Sequence, residues 1–535
     1  MKALSHLRRC IIILKEQLKK GSFSMQKIKL GSKALTAIRE ADPMMNSYNV
    51  EFAEVTGGTF WKAYTPEQVA GTEEFHVEPK EGGIAALYGD LMQVYAPIDL
   101  KNETIRKRAK ELGPLWIRVS GTWATKTYYD FDNETGGTPP EGYLNVLTKE
   151  QWLGVLDFVK AVDGKLMVSV ANCPGLHAAD EPWTPVEAEK LFSLSKAYGV
   201  PIEAAEFANE PNMMEDTGFP AGYTAADYRR DQDLFFAWMK ENYPEALAVG
   251  PSNLDAGDSG FGPGADNGPA GGVENIASTM VSCDELLDGT KVALDVYSYH
   301  YYNGVSERLA SVMPHAHWPA EKANSEAYLA TAGNMARANT GFRDRYVPDG
   351  QMWVTESGDA GGGGDTWAST YLDVLRSLNE LGEFGMITDG VIFHNTLASS
   401  DYGWLDHHDF SPRPNYFAAL LWNRLMGTTV LDPQEEVRMG AHVFARSRKD
   451  GKEGVVYLII NNDVENSTMV ELPEGKECQA YVLEGENGNM RARVMTLNGR
   501  PLVISENNEL PQMDPITVSN ELVLAPGACA FIIAE

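Results

Sequence analysis

Two glutamates in this sequence sit where a reacting group would be useful. Asn209-Glu210-Pro211 ends an apolar run at 202–209, and Glu356 ends another in Trp353-Val354-Thr355-Glu356-Ser357. Proline lacks the N–H that a ladder needs, so Pro211 stops its strand and leaves Glu210 at the end. Either glutamate alone reads most simply as a solvated loop residue. Together, across one opening, they supply a proton donor and a nucleophile for an acetal carbon. Retaining glycosidases use such a pair with the carboxyls about 5–5.5 Å apart. Asn209 adds an amide able to bind a sugar 2-hydroxyl in the transition state.

Four successive glycines, Gly361-Gly362-Gly363-Gly364, follow Glu356 closely. Without side chains their backbone can approach a ligand and turn its N–H groups inward, forming an anion-binding nest. No Gly-Lys-Ser/Thr follows, so this is not a phosphate loop. The plainer reading is a hinge before a helix starting near Asp365. His394 is either a pH-sensitive ligand contact or a packed strand-end histidine. His407-His408-Asp409 has no spaced partner, and adjacent histidines rarely present both rings to one ion, so a solvated turn is expected rather than a metal site. Trp61, Tyr223, Tyr302, Trp318, Trp367 and Trp404 include candidate sugar platforms, Trp404 first, although most aromatics pack.

The elements that must position these groups follow from periodicity. Strand-like runs at 48–52, 115–120, 165–171, 202–209, 247–252, 293–300, 352–356 and 390–395 alternate with helix-like segments such as 148–161, 185–197, 225–242, 321–339 and 366–381. Strands apolar on both faces, alternating with helices, imply a covered parallel sheet. About eight such units predict a (β/α)8 TIM barrel over 47–427. No glycine fingerprint follows the first strand, which argues against a dinucleotide fold. Past residue 427 the texture becomes strand and turn, as at 455–462, 480–483, 492–497, 502–504 and 529–533, predicting a C-terminal all-β sandwich over 428–535. Residues 1–46 form an N-terminal tail that adds a strand to it. The Gly/Asp/Pro-rich stretch 255–272 reads as a long loop, either a plain surface connection or a lid over the barrel mouth.

The chain has 535 residues and a net charge of -30, with 75 Asp+Glu against 45 Lys+Arg. Such a surface repels nucleic acid, anionic lipid and polyanionic polysaccharide. The five cysteines are sparse and far apart, which favours reduced thiols, with Cys478–Cys529 the one bridge to consider. The apolar run at 11–14 is too short for a signal peptide, and no span suits a membrane, so a cytoplasmic protein is expected.

At this point a family becomes recognisable. The chain from about residue 47 resembles the heparanase and β-glucuronidase family of glycoside hydrolases, family 79 of clan A. The likeness lies in Ser47-Tyr48-Asn49-Val50-Glu51, Arg118-Val119-Ser120-Gly121-Thr122, Asn209-Glu210-Pro211 and His300-Tyr301-Tyr302-Asn303-Gly304. It continues through Glu356 with its glycine run, Asp401-Tyr402-Gly403, Tyr481-Val482-Leu483 and Leu497-Asn498-Gly499. The resemblance implies Glu210 as acid/base and Glu356 as nucleophile. It implies that Tyr301 bonds the nucleophile, that Glu51, Thr122 and Asn209 contact sugar hydroxyls, and that Gly362, Gly363 and Tyr402 hold a glucuronate carboxylate. Where the family's heparan-sulfate enzyme carries Gln, this chain has His394.

These readings converge on a retaining exo-β-glucuronidase with a carbohydrate substrate and no cofactor. Three alternatives stand beside it. One is an endo-acting enzyme on glycosaminoglycan fragments, which would need a basic cleft that no Lys/Arg cluster near the motifs supplies. Another is a clan relative for neutral sugars, such as a β-xylosidase or α-arabinofuranosidase, and the last is a non-catalytic carbohydrate-binding protein.

Overall fold

The computed structural model describes residues 25–31, 34–78, 89–254 and 280–535. The loop at 255–272 and Cys10 lie outside the described residues. Eight parallel strands close into a barrel: β1 (Asn46–Glu51), β2 (Trp116–Ser120), β3 (Lys165–Ser169), β4 (Ile202–Glu206), β5 (Leu247–Leu254), β6 (Val296–Tyr302), β7 (Gln351–Gly358) and β8 (Ile392–His394). Each pairs with its sequence neighbours, and β8 closes onto β1. Helices alternate with them: α1 (Glu103–Leu112), α2 (Lys149–Ala161), α3 (Val186–Tyr198), α4 (Ala225–Asn242), α5 (Cys283–Leu287), α6 (Glu326–Tyr346), α7 (Leu372–Ile387) and α8 (Pro414–Leu425). This is the (β/α)8 architecture expected from the alternating pattern. Local chemistry starts the helices where they start. Thr148 with Gln151 and Thr224 with Asp227 form capping boxes before α2 and α4. The helix expected from Asp365 begins at Leu372, because 361–371 is folded around the barrel mouth instead.

Inside the barrel, Trp116, Met167, Ala204, Val249, Val296, Trp353 and Phe393 interlock as an apolar plug. Inward residues on a strand recur every second position, so the residues two places further on form the next layer. That layer is polar. It decides the chemistry at the mouth.

The second domain begins at Met426, directly after α8, two residues before the expected boundary. Its main strands are β9 (Met426–Asp432), β10 (His442–Arg448), β11 (Val455–Ile460), β12 (Glu477–Gly485) and β13 (Cys529–Ala534), in one sheet with the strand Thr36–Glu40 on its edge. A smaller sheet joins Gln26–Lys29, Thr468–Glu471 and Glu521–Leu524. Two segments of the N-terminal stretch are therefore sandwich strands. No strand forms at 502–504: pairing ends at Pro501, and Leu502 turns into the core. The Cys478–Cys529 bridge is absent. Cys478 faces Ala534 and Cys529 faces Leu483 on the paired strands, five positions apart, which is about 17 Å of strand. Among the described residues the cysteines are all buried and none forms a disulfide. Among the described residues no helix is long and apolar enough to cross a membrane.

The sandwich packs over α7, which is buried along most of its length between the two domains. The charged side chains buried on it are paired, Arg376 with Asp373 and Glu380, as burial requires. Close approach is allowed by Gly382, where an added Cβ would lie 2.4–2.5 Å from the ring of Phe444. This makes Gly382→Ala a test of the interface. Alanine gains about 1 kcal/mol of helix propensity, but overpacking costs about 1–3 kcal/mol. A lower urea-unfolding midpoint is expected, and a higher one would mean that the Phe444 ring moves aside.

Candidate active site

Above the apolar plug stand Arg118, Ser169, Glu206, Ser298, Thr355 and Asn395, each two residues beyond a plug residue. Arg118 is fully buried at their centre. Its Nη2 donates to Glu206 Oε1 at 2.6 Å and to Asn209 Oδ1 at 2.8 Å, and its Nη1 donates to Glu356 Oε2 at 3.2 Å. Ser120, Ser169 and Ser252 also donate to Glu206. Burial alone would raise the Glu206 carboxyl, but the Arg118 charge and hydrogen bonds, with His300 and Ser169, hold it below the usual range.

Glu356 reaches this group through an irregularity. The register of β6 against β7 runs Tyr299 to Val354 and then His300 to Glu356, leaving Thr355 as an extra residue. Such a bulge breaks the alternation of faces. Thr355 and Glu356 consequently both point inward, Thr355 to Ser252 and Glu356 to Arg118, while Ser357 turns outward to Glu380. Glu356 Oε1 also accepts from the Tyr302 hydroxyl and from Asn395 Nδ2 at 3.2 Å. Three donors therefore converge on this one carboxylate.

Glu210 lies four residues beyond β4 with φ of 47°, in the left-handed region that a non-glycine residue adopts at a cost. Its N–H donates to Ser252 O, and its carbonyl accepts from Thr217 Oγ1, which hold the turn. Burial, opposed by Arg118 and reinforced by Asp216 and Glu206, pushes its carboxyl up to about 7. His300 stands between the two glutamates, and burial lowers it to about 4, so its ring is neutral near neutrality. The ring's Nε2 faces Arg118 Nη2 at 3.2 Å, and a guanidinium can only donate. The hydrogen therefore resides on Nδ1, which donates to Glu210 Oε1 at 3.1 Å. One carboxyl oxygen each of Glu210 and Glu356, with a His300 nitrogen, lie within 4.8 Å of one another. A dication at that trio would sit against the Arg118 guanidinium, which disfavours it. Glu307, His317 and Asp365 make a second group of that kind, where Glu307 is already bonded by the Thr366 N–H and hydroxyl.

The remaining expected site residues divide. Glu51 projects inward from the end of β1, buried, with one oxygen only 1.9 Å from where a Gly121 Cβ would be. Burial first, then the charges of Glu356 and Glu54, raise its carboxyl well above the ordinary range. Asn209 commits its amide oxygen to Arg118, leaving its NH2 to offer. Thr122 lies exposed just past β2. The Tyr402 hydroxyl meets Asn395 Nδ2 at 3.1 Å, and its ring lies nearly parallel to that of Tyr302.

Three expectations are corrected. The hydroxyl at Glu356 is that of Tyr302, not Tyr301. His300 and Tyr302 face inward, so Tyr301 between them faces the helices, where its buried hydroxyl finds no partner among the described residues. His394 likewise points outward between the inward Phe393 and Asn395. It stacks on Trp404 at 4.7 Å and bonds Tyr402 O, as a packed strand-end histidine. Trp404, 2% exposed, is therefore packing and not a sugar platform. Arg118, His300 and Asn395 were not among the expected site residues and Tyr302 was expected only as a candidate sugar platform; two-residue parity counted from Trp116, Val296 and Phe393 would have placed all four inward.

The glycine run takes φ values of 92°, 88° and 84° at Gly362, Gly363 and Gly364, open only to residues without a Cβ. Gly361 O accepts from Ser306 N, and Gly362 O from Ser306 Oγ and Arg308. A trans peptide points its C=O and the following N–H opposite ways. The N–H groups of Gly362 and Gly363 are thereby turned to the other side, with no partner among the described residues.

A parallel barrel with two carboxyls at the C-terminal mouth is the design of a clan A glycoside hydrolase. Solved structures agree on the fold. A 4-O-α-L-rhamnosyl-β-D-glucuronidase from Fusarium oxysporum 12S superposes with a TM-score of 0.57 at 13% identity, covering 95% of this chain and 100% of its own. No family model matches. Among curated proteins, heparanase-like protein 1 of Arabidopsis thaliana is 23% identical over 487 residues, 82% of this chain and 84% of the relative. Baicalin-β-D-glucuronidase of Scutellaria baicalensis is 24% identical over 469 residues, 81% and 83%. The likeness of this chain is thus to the heparanase and β-glucuronidase relatives among glycoside hydrolases, at 23–24% identity over about four fifths of its length.

The corrected tyrosine gives a paired test. A hydrogen bond to a charged group is worth about 1.5–3 kcal/mol, so Tyr302→Phe should lower kcat roughly tenfold or more. Tyr301→Phe, whose hydroxyl bonds nothing among the described residues, should leave kcat unchanged. Equal effects in steady-state hydrolysis would contradict the placement of these two rings.

Proposed function

We propose that this protein is a retaining exo-β-glucuronidase in which Glu356 is the nucleophile and Glu210 the acid/base. The observation that carries the mechanism is the closeness of the two carboxyls, one oxygen of each lying within 4.8 Å of the other, which suits direct attack better than the wider separation of an inverting enzyme. Glu356 attacks the anomeric carbon while Glu210 passes its proton to the leaving oxygen, giving a glycosyl ester. Glu210, now a base, draws a proton from water, whose oxygen attacks the same carbon and frees Glu356. A carboxyl raised by burial keeps its proton for the first step, while three hydrogen-bond donors hold Glu356 in position to attack.

The acidic sugar is supported by the glycine run, whose two unpartnered N–H groups suit a carboxylate, with Tyr402 beside Gly364. Glu51 and the Asn209 amide are placed to meet sugar hydroxyls, and Thr122 to do so from the rim. The relative named for baicalin-β-D-glucuronide chemistry supports the same substrate class. Exo action is supported by the hairpin of Gly58–Trp61 and Met92–Tyr95, which sets Trp61 against Gly363.

Hydrolysis of aryl β-glucuronide, β-glucoside and β-xyloside, with the released anomer followed by NMR, tests the reading. Preference for the glucuronide with β-product first is expected, and α-product first would remove the mechanism. Glu356→Gln should abolish turnover of every substrate. Glu210→Ala should lose about 10²–10⁴-fold on poor leaving groups, less on good ones, and recover partly with azide. Because the acid must be protonated, wild-type kcat/KM should fall as pH rises through about 7. Glu210→Ala should lack that limb, and its persistence would assign the proton elsewhere.

A further inference from the structure

We propose that Arg308 is a positioning residue that sets the enzyme's preference for an acidic sugar, by clamping the glycine run from behind. This rests on reading that run as the seat of the sugar carboxylate. Arg308 follows β6 in the short helix Glu307–Ala310 and is 1% exposed. All five of its N–H groups are used. Nη1 donates to Gly362 O at 3.0 Å and Gly364 O at 2.8 Å. Nη2 donates to Lys62 O at 2.8 Å and to Asp401 Oδ2, and Nε donates to Lys62 O at 3.2 Å. The guanidinium lies 3.7 Å over the Tyr64 ring, which holds its plane.

One side chain thus ties together the loops after β1, β7 and β8. The consequence for binding comes from peptide geometry. Holding the Gly362 carbonyl fixes the opposite direction of the Gly363 N–H, because both belong to one rigid peptide unit. Glycine backbone is otherwise free to turn over, and an unheld peptide would present its carbonyl to the carboxylate as readily as its N–H. Arg308 never touches the substrate in this account. It acts through the glycines, and Asp401 balances its charge while carrying the loop that bears Tyr402. Lysine keeps the charge but cannot fork across two glycine carbonyls and Lys62 O.

The test compares wild type, Arg308→Lys and Ser306→Ala on an aryl β-glucuronide and on its methyl ester, which keeps the ring and loses the charge. Ser306→Ala removes one bond to Gly362 and leaves Arg308 in place. In Arg308→Lys the KM for the free acid should rise about tenfold with little change in kcat, while the ester's KM stays put. Ser306→Ala should move the same KM in the same direction by less. Wild type that does not prefer the acid over the ester overturns the carboxylate seat, and the clamp with it. Wild type with that preference, but Arg308→Lys unchanged or impaired equally on both substrates, overturns the clamp alone. Should Arg308→Lys not fold, an unaltered KM in Ser306→Ala overturns it.

Discussion

Arg118 holds a permanent positive charge where water does not reach, and the arrangement of the mouth follows from the need to satisfy it. A buried guanidinium without partners is prohibitively costly, and removing one partner of such a pair typically costs about 3–5 kcal/mol. Glu206 is the standing counterion, held ionised by Arg118 and by serine hydroxyls from β2, β3 and β5. Because Glu206 balances the charge, Glu356 is attracted to Arg118 without being its only partner. The same guanidinium fixes the His300 tautomer through Nε2 and turns the Asn209 amide, so four groups, on β4 and the turn after it, β6 and β7, take their orientation from one side chain.

Much of this arrangement was legible as a two-residue beat. Trp116, Arg118 and Ser120, or Val296, Ser298, His300 and Tyr302, are inward positions of a barrel strand, apolar at the bottom and polar toward the mouth. The eight strands, the appended sandwich and the glutamate pair could be read from pattern alone. Tyr301 and His394 were misplaced because family likeness was followed where the beat pointed one residue further. In each case the neighbour, Tyr302 or Asn395, occupies the inward position.

Other features have no local signature. The extra residue at Thr355 shifts Glu356 onto the inner face, and nothing in Thr355-Glu356-Ser357 announces it, since bulges arise from how two strands fit. The left-handed turn at Glu210 is paid for by bonds to Ser252 and Thr217, which lie elsewhere in the chain. The convergence of Lys62, Arg308, Gly362 and Asp401 joins the loops after β1, β6, β7 and β8, with 246 positions between Lys62 and Arg308. The two-domain division was visible from texture, but the membership of 26–29 and 36–40 was decided by pairing partners at the far end of the sequence.

That last pairing bears on synthesis. Glu40 lies opposite Thr429, so this strand leaves the ribosome with its partner roughly 390 residues away. At about 5–20 residues per second, the interval is on the order of 20–80 s. The whole barrel can be made and closed in that time, while the sandwich stays unfinished and the early strand carries a bare edge. The smaller domain, although it holds both the earliest and the latest strands of the fold, is thus the last to become a structure.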